Sequence, residues 1–168
     1  MKKKQWIILA AVIVLAVVVA IVGILVRKQQ LEKEKVGAIT LKCGGQEYVI
    51  PISGLDREAF SGETVNGKGD RFTRYYRGVE LSALLTEKKI DMNTVSAVKA
   101  ESADQYTAEL TGEEIRESGK VYLAVQVDGK TVEGIEPGKP GVQMIVFGDP
   151  NSKRAVRNLA IIEVKVEK

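Results

Sequence analysis

The sequence predicts a mainly β, α+β domain that follows one N-terminal transmembrane helix. Residues 6–26 are an apolar run without a charged side chain. At about 1.5 Å of rise per residue, a helix of this length measures roughly 31 Å, which spans a bilayer core. After residue 37 most segments alternate apolar and polar residues, the period of strands, and two segments carry helical patterns instead. These observations together give the predicted fold class.

The apolar run sets the predicted domain organisation. It is longer than the apolar region of a cleaved secretory signal, and basic residues follow it at once, so we predict an uncleaved anchor that contacts the lipid bilayer through residues 6–26. Basic residues flank both sides, so charge alone does not fix the orientation. A short stub before a long domain favours a cytoplasmic stub at 1–5, a charged stalk at 27–36 and an extracytoplasmic domain at 37–168.

Charge and residue counts exclude several classes of function. Seven of the 25 basic and two of the 22 acidic residues flank the apolar run, so 18 basic and 20 acidic residues remain in the domain. A slightly acidic domain argues against a nucleic-acid partner. The chain has no histidine and one cysteine, which excludes Ser-His-Asp and Cys-His catalysis, zinc sites built on these residues, and an intrachain disulfide.

The domain opens with two predicted strands, AITLKC and QEYVIPI, joined by Gly44-Gly45. Two glycines tolerate the positive φ of a hairpin turn. Cys43 falls on the apolar face of the first strand. We interpret it as a small buried residue and keep it only as a weak candidate metal ligand.

The middle of the domain is predicted to be a long loop followed by a helix. Residues 60–78 are rich in glycine, arginine and aromatic residues and show no clear period. In VELSALLTEKK, by contrast, the valine and leucines fall on one helical face.

The second half of the domain is predicted to be mostly strands. VSAVKAE, YTAEL, VYLAVQV, VQMIVF and IIEVKVE carry strand patterns, and Asp128-Gly129 predicts a hairpin turn into KTVEGI. Thr111 and Glu114 have the spacing of a capping box, which predicts a short helix that Gly119 ends.

One constellation carries candidate binding chemistry. In NGKGDRFTRYYRG a basic residue recurs at every third position, with aromatic residues between them. Guanidinium groups bind phosphate or carboxylate oxygens, and aromatic rings stack on planar rings. The candidates are Lys68, Arg71, Arg74, Tyr75 and Arg77. The alternative is a solvent-exposed loop whose arginines pair with acidic residues of the domain.

Four motifs stand in a recognisable order. RGVELSALL resembles w-x-G-v-x-L-x-x-L-L, and SADQYTAELTGEEI resembles S-x-D-G-Y-t-x-x-l. AVQVDGKTVEGIEPGKPGVQMIV resembles A-x-x-x-n-G-x-x-L-x-x-x-x-G-x-P-x-R-l-v, and SKRAVRNLAIIEV is similar to x-x-v-K-w-l-x-x-I-e. From Gly37 to Val166 the chain therefore resembles the molybdopterin-binding oxidoreductase domain of the sulfite oxidase family, as a reduced single-domain member. The resemblance implies a sulfite-oxidase-type, molybdopterin-domain-like fold, and it adds Asp104 and Tyr106 to the candidate ligand-binding residues.

The departures from this family concern its cofactor. The family holds molybdenum through a cysteine in the loop that here reads FSGETVNGKGDRF, which contains none. Cys43 comes too early to be its obvious counterpart, and Gln105 replaces the glycine of D-G-Y. Gly141, Val142 and Gln143 occupy the region where an arginine is expected after G-x-P. The family's pterin-binding histidine is absent as well. The resemblance therefore implies the fold more strongly than molybdopterin.

These observations favour a membrane-anchored extracytoplasmic binding module without molybdenum or catalytic residues. Its expected partner is a small anionic or heterocyclic ligand, or a redox or cell-surface protein. Two alternatives stay open: a molybdopterin-dependent oxidoreductase or a subunit of one, and a structural tether of a cell-surface complex.

Overall fold

The computed structural model describes residues 17–23, 37–150 and 153–167, and the chain divides into two compact units, Met1–Val36 and Gly37–Lys168. Residues 17–23 are helical (α1). Among the described residues, no helix combines the length and the apolar character needed to cross a membrane. The predicted span, stub and stalk lie outside the described residues apart from α1, and they stay predictions.

The described residues of the second unit form ten strands and two short helices. In chain order they are β1 (Ala38–Cys43), β2 (Gln46–Pro51), β3 (Glu58–Val65), β4 (Arg71–Glu80), α2 (Leu81–Glu87), β5 (Val95–Ser102), β6 (Thr107–Thr111), α3 (Gly112–Arg116), β7 (Val121–Val127), β8 (Lys130–Thr131), β9 (Gln143–Val146) and β10 (Leu159–Val166). A 3₁₀ turn at Ile52–Leu55 follows β2. The predicted mainly β, α+β class is confirmed for this unit.

The strands form two five-stranded sheets. The first has the order β2-β1-β10-β5-β6. In this sheet β1 and β10 are parallel, and all other neighbouring strands are antiparallel. The second has the order β3-β4-β7-β8, with β9 also paired to β7. The closing strand of the chain therefore lies in the middle of the first sheet.

The main core joins the apolar faces of both sheets to the two helices. Ile39 and Ile162 come from the first sheet, Leu123 from the second, and Leu84 and Ile115 from the helices, and all five are buried. Burying a leucine or isoleucine side chain contributes about 1.5–3 kcal/mol, so this layer holds the domain together without a disulfide.

The opposite face of the second sheet carries a smaller aromatic cluster, defined here as Phe60, Tyr76, Tyr122 and Phe147. The Phe60 ring stacks on Tyr122 with centroids 4.0 Å apart and on Tyr76 at 5.4 Å. Phe147 meets these rings edge-on. Strand β7 is consequently covered on both faces, which explains why VYLAVQV is almost continuously apolar.

Most predicted elements are confirmed, and one is wrong. The opening hairpin, α2, β5, β6, β7, β9 and β10 lie where their patterns indicate, and the capping box at Thr111 and Glu114 is formed. The predicted loop at 60–78 is instead the antiparallel hairpin β3–β4. Half of the residues of β4 are exposed, and arginines occur on both of its faces. The sequence therefore lacks the alternation of apolar and polar residues that marks a half-buried strand.

Candidate ligand-binding site

The candidate site is a cavity of about 460 Å³ at the end of the second sheet, beyond the aromatic cluster. Strand β4 contributes Phe72, Arg74 and Tyr76, and the turn between β5 and β6 contributes Asp104 and Tyr106. Its volume lies within the range of about 300–1,000 Å³ that is typical of small-molecule sites. The structure thus brings together residues from both segments that the sequence singled out.

The pleat of β4 decides which side chains reach the cavity. Successive residues of a strand point to opposite faces, so residues 72, 74 and 76 share one face and residues 71, 73, 75 and 77 share the other. A basic residue at every third position therefore alternates between faces. Of the predicted arginines, Arg74 lines the cavity, while Arg71 and Arg77 do not.

The remaining candidates of this segment are engaged elsewhere on the surface. Arg71 pairs with Glu63 at 2.7 Å, and Arg77 pairs with Asp56 at 2.7 Å. The Tyr75 side chain is 69% exposed. Lys68 lies in the β3–β4 turn, where its backbone N–H donates to Asn66 Oδ1. The structure does not bring Lys68, Arg71, Tyr75 or Arg77 into the cavity.

Arg74, Arg157 and Gln143 are among the hydrogen-bond donors that line the cavity. The Arg74 guanidinium lies 5.1 Å from the Phe72 ring centroid and 3.5 Å from an Asp128 carboxylate oxygen. Arg157 also lines the cavity and, within the part of the chain that the structure describes, forms no ion pair. The Gln143 side chain likewise has no hydrogen-bond partner among the described residues. The Arg157 and Gln143 donors are therefore available to an anion, which would share Arg74 with Asp128.

The carboxylates of the cavity already have protein partners. Asp104 accepts a hydrogen bond from the Ser102 hydroxyl, and its pKa is lowered by that bond and by the Tyr106 backbone N–H. Asp149 accepts from Arg154 at 3.0 Å, and its side chain is only 6% exposed. The formal charges of the cavity balance: Asp149 is paired with Arg154, whereas Asp104 keeps its charge and accepts hydrogen bonds from neutral donors. Among the charged groups that line the cavity, Arg157 is the one without an ion pair or hydrogen bond in the described part of the chain.

The turn from β5 to β6 is held in place by several contacts. On the opposite side of the cavity, the Tyr76 side chain of β4 is buried, which raises the pKa of its hydroxyl and keeps it neutral. The contacts of the turn itself are as follows. The Tyr106 hydroxyl donates to the Lys153 carbonyl, which ties this turn to the segment before β10. Gln105 has a φ of 70°, the left-handed conformation that the glycine of the D-G-Y motif would adopt without strain.

Arg157 was missed by the sequence reasoning. It precedes β10 and is exposed, and it follows the basic residues Lys153 and Arg154, so composition does not separate it from a solvent-exposed side chain. The one feature of the sequence that pointed to Arg157 was its match to the lysine of the closing motif x-x-v-K-w-l-x-x-I-e. Gln143 was singled out only as a departure from the family pattern, and it proves to line the same cavity.

The side chains of the cavity do not fit the molybdenum centre of the family that the sequence resembles. Such a centre needs a soft thiolate, but Cys43, the single cysteine, ends β1 and is not a cavity residue. Burial raises the pKa of its thiol, which disfavours the thiolate. Among the described residues, no three His, Cys, Asp or Glu side chains are grouped to bind a metal ion.

Comparison with known proteins identifies a distant fold relationship. No protein-family model matches the chain, and no curated protein matches it significantly. Among solved structures, the chain is similar to the sulfane dehydrogenase SoxCD from Paracoccus pantotrophus, with a TM-score of 0.62 and 15% sequence identity. The likeness covers 80% of this chain and 39% of the other, so this chain spans about two fifths of its length. At this identity the likeness shows a shared fold.

Proposed function

We propose that the chain is a membrane-anchored extracytoplasmic module that binds a small anionic, ring-containing ligand in the cavity between β4 and the β5–β6 turn. Arg74 and Arg157 would hold the anionic group, and Phe72, Tyr76 and Tyr106 would contact the ring. Residues 6–26 would anchor the module in the bilayer. A redox or cell-surface protein could take up or deliver the ligand.

The observation that carries this proposal is that the cavity is lined by an arginine without an ionic partner in the described part of the chain, Arg157, beside aromatic rings. Both carboxylates that line it accept hydrogen bonds from neighbouring residues, whereas Arg157 has no ionic partner in the described part of the chain. Hydrogen bonds between guanidinium groups and anions are the stronger kind in proteins, about 1.5–3 kcal/mol each. Aromatic rings beside these donors add a stacking surface.

Thermal unfolding of the full-length chain in detergent tests the proposal. Inorganic phosphate, AMP and FMN serve as probes, because a ligand that binds the folded state raises its unfolding temperature with concentration. We expect AMP or FMN to raise it by several degrees, and Arg74→Gln to remove the shift. Arg71→Gln is the matched control, since this arginine lies on the opposite face of the same strand. Equal shifts in both variants would contradict the proposal.

The likeness to a sulfane dehydrogenase favours a second candidate, a molybdopterin-dependent oxidoreductase or a subunit of one. Metal analysis and oxidised-pterin fluorescence test it, on full-length protein from a host that makes molybdopterin. Stoichiometric molybdenum and pterin would support the oxidoreductase, with Cys43 the first ligand to replace. Absence of both from protein that still binds AMP or FMN would favour the binding module.

A further inference from the structure

A second cavity of about 570 Å³ adjoins the first. The two share four lining residues: Arg74, Val127, Gln143 and Arg157. The residues common to both cavities include both arginines and the glutamine whose amide is unpaired among the described residues. The border between the cavities therefore holds two guanidinium groups, of which Arg74 is shared with Asp128, and the unpaired Gln143 amide.

The two cavities differ in chemistry on either side of this border. The first presents the rings of Phe72, Tyr76 and Tyr106. The second is lined by the β7–β8 hairpin and the residues after it, including Asp128, Lys130, Thr131 and Glu133, and none of its described lining residues is aromatic. One side suits a planar ring, and the other suits a polar group rich in hydroxyls.

We infer that the ligand has an internal anion, a phosphodiester or diphosphate, that joins an aromatic ring system to a polar moiety. The anion would lie at the Arg74–Arg157 border, with the ring in the first cavity and the polar moiety in the second. This inference rests on the proposed function, because it places the anionic group of that same ligand. A ligand with a terminal anion would use only one cavity.

Isothermal titration calorimetry on the full-length chain in detergent tests this with adenosine, ADP and ADP-ribose. ADP-ribose extends the diphosphate of ADP by a sugar and carries less negative charge. Simple charge attraction therefore favours ADP, whereas occupation of both cavities favours ADP-ribose. We expect ADP-ribose to bind about tenfold tighter than ADP, and ADP about tenfold tighter than adenosine, the scale of one charge-assisted hydrogen bond.

Variants separate the two halves of the site. A double variant, Lys130→Gln with Thr131→Val, should lower the affinity for ADP-ribose to that for ADP and leave ADP unchanged, since both residues line the second cavity alone. Lys139→Gln is the control, because this exposed lysine of the next loop lines neither cavity. Arg157→Gln should weaken ADP and ADP-ribose alike.

Two outcomes would overturn the inference. Equal affinities for ADP and ADP-ribose, both lost in Arg74→Gln, would show a site for terminal anions and would leave the proposed function standing. No binding of either nucleotide by the unsubstituted chain would overturn the inference and count against the proposed function as well. A preference for ADP-ribose that the double variant abolishes would support the inference.

Discussion

Single residues set the charge that the first cavity offers to a ligand. Arg74 is shared between the Phe72 ring and Asp128, whose other carboxylate oxygen accepts the Tyr75 backbone N–H at 3.0 Å. Asp128 has a φ of 51° at the start of the β7–β8 turn. It thus fixes the strand next to the cavity and at the same time competes with a ligand for Arg74.

Replacing Asp128 by asparagine should strengthen anion binding. Asparagine keeps an oxygen for the Tyr75 N–H and tolerates a positive φ, but it removes the charge that attracts Arg74. An exposed ion pair contributes about 0.2–1 kcal/mol, so we expect the affinity for AMP to rise by up to about fivefold at an unchanged unfolding temperature. Titration calorimetry measures this, with Asp56→Asn as the control outside the cavity. Weaker binding would mean that Asp128 holds Arg74 in its binding position.

Glu114 links α3 to the segment beside the cavity. It completes the capping box with Thr111 and accepts from Arg154 at 2.6 Å. Burial opposes its ionisation, but bonds from the Thr111 backbone and from Arg154 outweigh burial and lower its pKa from the ordinary 4.5. A carboxylate whose pKa falls on folding stabilises the folded state fully above its unfolded pKa. That stabilisation is lost as the pH falls through the folded pKa.

Glu114→Gln should therefore destabilise the protein at neutral pH and much less in acid. We expect a loss of about 1–3 kcal/mol in the free energy of unfolding at pH 7. The difference from the unsubstituted chain should narrow once the pH drops below 4.5, which urea denaturation across the pH range would record. Glu113→Gln, at an exposed position in the same turn, should change the free energy of unfolding little at any pH. A loss for Glu114→Gln that is independent of pH would contradict this account.

At the scale of elements, the sequence predicted those strands in which one face is apolar and the other polar. β5 and β10 follow this rule, because Val98 and Ile162 face the core while Lys99 and Glu163 do not. The β3–β4 hairpin escaped prediction because charged and aromatic residues cover its outer face. Its turn is organised by Asn66, whose side-chain oxygen accepts the backbone N–H groups of residues 68 and 70.

Gly78 allows β4 to lie against β7. A Cβ at this position would lie 1.9 Å from the Leu123 carbonyl oxygen, and the strand pairing shifts its register there. Backbone atoms of a central strand cannot move aside cheaply, so Gly78→Ala should lower the free energy of unfolding by at least about 2 kcal/mol. Gly54→Ala, whose nearest neighbour atom would be 3.7 Å away, should change it by less than about 0.5 kcal/mol. Chemical denaturation compares the two; similar costs would contradict the close approach of these strands.

At the scale of the whole molecule, the order of motifs anticipated the fold better than it anticipated the site. The motifs mark strands and helices in chain order, and these elements form the two sheets and the main core. The cavity instead combines residues distant along the chain, such as Arg74, Asp104 and Arg157. A period of three along β4 could not show which arginine reaches the cavity, since that depends on the pleat and on neighbouring segments.

The predicted topology of the chain can be tested with an impermeant maleimide on intact cells. Cys43 is a poor target because it is partly buried and burial raises the pKa of its thiol. In a Cys43→Ala background, Ser118→Cys places a thiol on the exposed turn after α3, and Gln5→Cys places one in the predicted cytoplasmic stub. We expect labelling of Ser118→Cys on intact cells, and of Gln5→Cys only after lysis. The reverse pattern would put the domain in the cytoplasm, and labelling of a fraction released without detergent would argue against an anchor at residues 6–26.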